Sequence, residues 1–295
     1  NYTAAHEFAG EGEIVAIARD QLGQLKQVAK SASLLLAMFV LAACSSGSSG
    51  GSSDEVQAST NSDSRSVTDD QSSSEEDTYR IGGSIGDGPI VGADIEVQDA
   101  NGDVIASATS DEQADYAIYI PENTPLPIKV RVTGGIDLVT NRAADFELLA
   151  IVHSTGIQTV NVSPLTTLAV KTAECRGAPT VDGMNDAWDD ILRELNIGLD
   201  AVQFGDPMTQ RIDRNNVETA VLANESLGEL VRRTGAAFGG ALPLDLIVDV
   251  LACDIADGVF DGLVVGSTGQ DERRIFAVAK SSEIAIRLEV IAGAL

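Results

Sequence analysis

Histidine is nearly missing from this chain, with two in 295 residues, and cysteine is almost as scarce, with three. Zinc sites are built from several His or Cys ligands at short spacing, and a Ser hydrolase triad needs an imidazole beside its nucleophile. Neither fits this composition. Bases are few as well: 19 Lys and Arg stand against 45 Asp and Glu, for a net charge of −26. Nucleic acid and anionic lipid headgroups both demand Lys/Arg patches, so whole-chain charge argues against either as a partner. Positive ions, cationic surfaces and plain solubility stay open. Long apolar runs are lacking too. The longest, Leu34 to Leu41, is far short of the ~20 residues a spanning helix needs.

That short run organises the N-terminal part. Lys26 and Lys30 precede it, and it closes on Leu41-Ala42-Ala43-Cys44, after which Ser and Gly take over. A basic stretch, a short apolar stretch and small residues describe a secretory signal. The alternative, a buried core helix, would have to run directly into SSGSSGGSS, which cannot pack. With the cut placed before Cys44, the segment resembles the lipobox of bacterial lipoproteins, whose peptidase cleaves ahead of a diacylated cysteine. The resemblance implies that residues 26–43 are removed and that Cys44 carries the lipid. Acyl chains contribute ~0.8 kcal/mol per buried CH₂ and anchor a protein without any apolar protein surface. Ser45 after the cysteine implies, by the sorting rule of enteric lipoproteins, the outer membrane of a bacterial cell envelope. Residues 1–25 lack an initiating Met and are too acidic for such a signal; they read as an upstream extension, and His6 falls within them.

Residues 44–78 read as a tether. Ser/Gly gives way to DEVQASTNSDSRSVTDDQSSSEEDT, with one Arg against eight acids and almost nothing apolar. Such a segment cannot bury enough surface to offset its ordering and is expected to be disordered. At ~5–6 Å × √n it reaches on the order of 30 Å.

From Tyr79 the apolar period is two. Ala93, Ile95 and Val97 alternate with acids and Gln98. Tyr116, Ile118 and Ile120 share a face, as do Ile128, Val130 and Val132, and a further row joins Phe146, Leu148, Ala150 and Val152. Turn residues separate these runs, and Asn101-Gly102 is a strong hairpin signal. About seven short strands at 8–12-residue spacing predict a small antiparallel β-sandwich over 79–162. Gly88-Pro89-Ile90-Val91-Gly92-Ala93-Asp94-Ile95-Glu96-Val97, followed by Thr109-Ser110-Asp111 and Tyr116-Ala117-Ile118-Tyr119-Ile120-Pro121, resembles the carboxypeptidase regulatory-like (transthyretin-like) sandwich. Its usual line is G-x-P-V-x-G-A-x-V-x-V … T-D-x-x-G-x-Y. This chain departs from it at Glu112-Gln113-Ala114-Asp115, where the family has a glycine ahead of the tyrosine. The resemblance implies an Ig-like, non-catalytic accessory module.

After Val162 the period becomes helical. Ser163 and Pro164 start a first helix as N-cap and N1. Trp188, Ile191, Leu192 and Leu195 make a second stripe. Val217, Ala220, Val221, Leu227 and Val231 make a third, expected to end at Arg232-Arg233, where positive charge suits a helix C-terminus. Pro243 opens a fourth helix, closed by Gly258, and residues 271–292 form a fifth. VNVSPLTTLA, ANESLGELVRRT and LACDIADGVFDG are similar to a helical region that follows such sandwiches in bacterial surface lipoproteins, a likeness that implies architecture and location only. The expected fold is therefore α+β: a sandwich over 79–162 and a helical domain over 163–295, on a disordered tether.

Three constellations bear on chemistry. Gly82-Gly83-Ser84-Ile85-Gly86 matches G-x-S-x-G, but the nucleophile elbow needs a strand before it and a helix after it, and Gly-Asp-Gly-Pro follows instead. His153 ends a strand, so no catalytic residue is assigned. Asp254, Asp257 and Asp261, punctuated by Gly258 and Gly262, are candidate oxygen ligands in a glycine-rich loop of the kind that suits Ca²⁺; the spacing is not the EF-hand's, and helix capping with a tight turn is the preferred account. Finally, setting Cys44 aside for lipid leaves Cys175 and Cys253, either a disulfide in an oxidising compartment or two buried thiols. The sequence thus reads as a lipid-anchored, non-enzymatic envelope protein for adhesion or for binding a protein or glycan ligand, with membrane contact through the anchor and no nucleic acid. A spacer for another module and an envelope enzyme are the competing classes.

Overall fold

The computed structural model describes residues 77–86, 88–195, 205–263 and 270–295. The chain divides into two units, Asn1–Ser73 and Ser74–Leu295, and the described residues belong to the second. The lipobox, Cys44 and the tether up to residue 76 lie outside them.

Antiparallel sheets come first and five helices follow among the described residues, an α+β content. The strands are β1 (Thr78–Ser84), β2 (Ile90–Val91), β3 (Asp94–Gln98), β4 (Val104–Thr109), β5 (Asp115–Pro121), β6 (Ile128–Thr133), β7 (Ile136–Asp137), β8 (Arg142–Ala143) and β9 (Leu148–Val152). They form sheets in the orders β1-β5, β2-β7-β8 and β4-β3-β6-β9. Alternation decides which faces turn inward: Ile95 and Val97, Tyr116, Ile118 and Ile120, and Ile128, Val130 and Val132 are all buried. The β3–β4 turn is built by Asp99, whose Oδ1 accepts from the backbone N–H of Asn101 (2.8 Å) and Asp103 (3.0 Å) while Gly102 takes φ +87°. The β4–β5 turn repeats the device, Asp111 Oδ1 accepting from Gln113 and Asp115 N–H at 2.9 Å each. There Ala114 is held at φ +61°, a left-handed conformation that costs a non-glycine residue about 1–2 kcal/mol.

β9 departs from simple alternation, because all five of its residues are buried. Leu148, Ala150 and Val152 face the main core, whereas Leu149 and Ile151 pack with Val170 on the opposite face. Val170 belongs to α1 (Pro164–Cys175). Ser163 caps α1 in a capping box with Thr166, Pro164 is in its first turn, and most of its residues are buried. Leu149 N–H donates to Thr167 Oγ1 (2.8 Å), so helix and strand are also joined by hydrogen bonding. Around α1 lie α2 (Val181–Leu195), α3 (Val217–Ala237) and α4 (Leu244–Ile255), and α5 (Gln270–Ala292) packs on α3 and α4. One hydrophobic cluster runs unbroken from Ile81 through Leu165 to Ile286, across the expected boundary at residue 162.

α3 corrects an expectation. It does not end at Arg232-Arg233 but continues to Ala237. Both arginines sit inside the helix, where carboxylates rather than terminal carbonyls neutralise them.

Candidate functional site

Those arginines define the most charged junction among the described residues. Arg232 meets Glu225 (3.0 Å), Glu229 (3.1 Å) and, across to the strand half, Asp145 (3.8 Å). Arg233 is held by Glu229 (2.7 Å) and in a two-toothed grip by Glu289 of α5 (2.8 and 2.9 Å). Hydrogen bonds donated to Glu289 and Glu229 push the Arg233 pKa up, against the effect of burial, and fix its charge. Beside Arg232 opens a cleft of about 260 Å³, mouth included, lined by Ile90, Asp137, Thr140, Asp145 and Phe146 among others. Asp137 is buried at its wall, where its carboxylate accepts from Val139 N–H (2.8 Å), Thr140 N–H (3.2 Å) and the Thr140 hydroxyl. Gly88 lies so close that a Cβ there would stand 2.4 Å from Val139 and 2.9 Å from Asp137 Oδ1. The side chains of Asp137, Thr140, Asp145 and Arg232 that line this cleft are engaged in building it, and the space left inside it for a water-sized sphere is about 10 Å³, room for about one water. The cleft is a structural junction.

The cysteines meet where the C-terminal ends of two helices come together. Cys175 closes α1 and Cys253 lies in the last turn of α4; their Cα atoms are 5.3 Å apart and their sulfurs are bonded. Arg176 reinforces the same corner, donating to the carbonyls of Ala256 (2.8 Å) and Ile255 (3.3 Å) and pairing with Asp190. The loop beyond α4 is clamped from several sides. Arg193 donates to Gly258 O (2.7 Å), Glu194 accepts from Phe260 N–H (3.1 Å), and Phe260 meets Phe276 edge to face at 5.0 Å.

The three aspartates of this loop are separately employed. Asp254 is 1 % exposed and turns inward, its Oδ1 accepting from Gly262 N–H at 2.7 Å and its Oδ2 buried without a hydrogen bond. Burial, followed by the charges of Asp261 and Asp257, pushes its pKa up to about 6. Asp257 and Asp261 cap their own turns, accepting from Val259 (3.0 Å) and Leu263 (2.9 Å) N–H. Among the described residues no group of three or more His, Cys, Asp or Glu side chains could hold a metal ion. Of the two accounts of Asp254, Asp257 and Asp261, the contacts are those of turn-capping about one buried carboxyl, not of a shared Ca²⁺ ligand set.

Ser84 and His153 are not a pair. Ser84 Oγ donates to Asp115 Oδ1 (2.8 Å) at the end of the β1–β5 ladder, whereas the His153 imidazole lies against the Pro179 carbonyl beyond α1. Sequence reasoning missed the Arg232–Arg233 network and the buried Glu283; the acids at 225, 229 and 289 were visible, but nothing local pairs them with those arginines. No helix among the described residues is long and apolar enough to cross a membrane. Comparison of the chain with protein-family models, curated proteins and solved structures finds no match to any of them.

Proposed function

We propose that this chain is a lipid-anchored protein of the bacterial cell envelope, held by Cys44 on the outer membrane and presenting a non-enzymatic α+β unit for adhesion or for binding a protein or glycan. The carrying observation is Leu41-Ala42-Ala43-Cys44, placed between a basic, apolar stretch and a Ser/Gly run. The Cys175–Cys253 geometry supports the same address, since disulfides persist in oxidising compartments. The Ser/Gly-rich and acidic stretch of residues 44–78 serves as the tether.

The strand half is read as a transthyretin-like sandwich. Ala114 supports this: it stands where the family pattern has glycine, and it takes the left-handed φ of +61° that would select glycine there.

The test is Cys44→Ser in a bacterial host fed a radiolabelled fatty acid. Wild type is expected to take up label and fractionate with membrane, and the variant to lose both. An unlabelled wild type, or unchanged membrane fractionation of the variant, refutes the anchor.

A further inference from the structure

We propose that Asn101 is a site of spontaneous deamidation, an intramolecular modification of the β3–β4 turn whose rate the Asp99 side chain holds down. Asn101-Gly102 is the one Asn-Gly pair of the sequence. Both residues are exposed, and a Cβ at Gly102 would meet nothing within 4 Å, so no neighbouring element crowds the bond between them. The reaction joins atoms that the chain already holds close, which is why it needs no enzyme. The Gly102 backbone nitrogen gives its proton to hydroxide and bonds to Asn101 Cγ, and Nδ2 leaves as ammonia with a proton from water. Water then opens the five-membered imide at either carbonyl. One opening gives aspartate; the other gives isoaspartate, whose main chain runs through Cγ and is longer by one carbon. Overall one water is consumed and one ammonia released.

The turn engages both reacting groups through one residue. Gly102 N–H, whose nitrogen is the nucleophile, donates to the Asp99 carbonyl at 3.0 Å. Asn101 Nδ2, the leaving group, donates to Asp99 Oδ2 at 3.0 Å. Asp99 Oδ1 accepts from Asn101 and Asp103 N–H and so keeps the turn closed. These bonds, that from Asp103 foremost, hold the Asp99 carboxyl below its ordinary pKa, so the latch is a carboxylate. Exposed asparagines elsewhere, such as Asn123, are followed by residues whose side chains crowd the attack. Conversion removes the Nδ2 donor and sets a new carboxylate against that of Asp99, where like charges repel. Loss of ammonia makes the change one-way. It weakens the closure of the turn that leads into β4, the edge strand of its sheet.

The full chain, folded, is to be incubated at pH 8.5 and 37 °C, and peptides that separate residue 101 from residue 123 followed by mass spectrometry. Asn101 is expected to convert ahead of Asn123, and to both aspartate and isoaspartate. Asp99→Ala, which frees Nδ2 and loosens the turn, should speed the conversion about tenfold. Asp103→Asn removes an equal charge but no acceptor, and should leave the rate nearly unchanged. In urea, wild type and Asp99→Ala should convert at one rate, because no turn is left to hold. Asn101 converting no faster than Asn123 in the folded chain, or giving aspartate alone, overturns the proposal. So does an unchanged rate in Asp99→Ala, or an equal acceleration by Asp103→Asn, which would make local charge and not the latch responsible.

Discussion

The strand half and the helical half are joined in one core but are held by different physics. Between the strands the buried side chains are almost all aliphatic, and the ion pairs ride outside, as where Arg131 meets Glu96 and Glu147 on partly exposed surface. Between the helices, charge goes inside. Arg232 and Arg233 share carboxylates from the strand half, α3 and α5, Glu283 is wholly buried, Asp254 sits under the loop after α4, and a disulfide ties α1 to α4. Sheets acquire their cohesion from a repeating pleat that presents alternate residues to one core. Helices of modest apolar content need point-to-point clamps.

The largest effect expected from this comparison lies in the strands. Ile95→Ala, at a fully buried position, should cost about 3–4 kcal/mol, transfer loss and cavity together. If the core is as continuous as its packing, urea unfolding followed by far-UV circular dichroism and by Trp188 fluorescence will shift together. Separated transitions would break the picture of one cooperative unit. Next comes the clamp between helices. Cys175→Ser with Cys253→Ser should cost about 2–4 kcal/mol, and hydrogen exchange should rise at the ends of α1 and α4 while β3 and β6 keep their protection. Uniform loss across both halves would erase the distinction.

The smallest of these effects is set by pH. Asp254 has a folded pKa of about 6, raised above its ordinary 3.8, so the native state binds its proton more tightly than the unfolded chain does. Its carboxylate form therefore opposes folding above pH 6, and the cost fades as pH falls from about 6 to about 4. At about 1.4 kcal/mol per pH unit the shift sets a ceiling of about 3 kcal/mol, which local relaxation around the carboxylate lowers. Asp254→Asn, which keeps an acceptor for Gly262 N–H, should melt higher than wild type at pH 7.5 and alike at pH 4. A gain of the same size at both pH values would show that packing, not charge, is at issue.

Much of this was legible locally. Ser163-Pro164 marked the start of α1, Asn101-Gly102 the β3–β4 hairpin, and Ile95, Tyr116 and Val130 the inward faces, because each depends on neighbours a few residues away. Counting cysteines offered the pairing of Cys175 with Cys253 beside two buried thiols, and no local pattern decides between them. What escaped depends on distant partners. Arg232 and Arg233 look like the end of a helix until Glu289, over fifty residues on, is placed beside them. The unbroken apolar run Leu148–Val152 held the clue that β9 is covered on both faces, yet reading only its alternate residues concealed it. That Asp254 alone of the three aspartates turns inward escaped, since burial cannot be read from a D-x-x-D spacing.

The doubly covered β9 also limits how this chain could be recombined. A β-domain cut out at residue 162 and grafted elsewhere would carry Leu149 and Ile151 bare on its outer face, together with a backbone N–H at Leu149 robbed of its threonine. Shuffling would favour the strands travelling with α1 attached, so that the smallest portable piece ends at Cys175 rather than at the last strand, with an unpaired thiol at its new terminus.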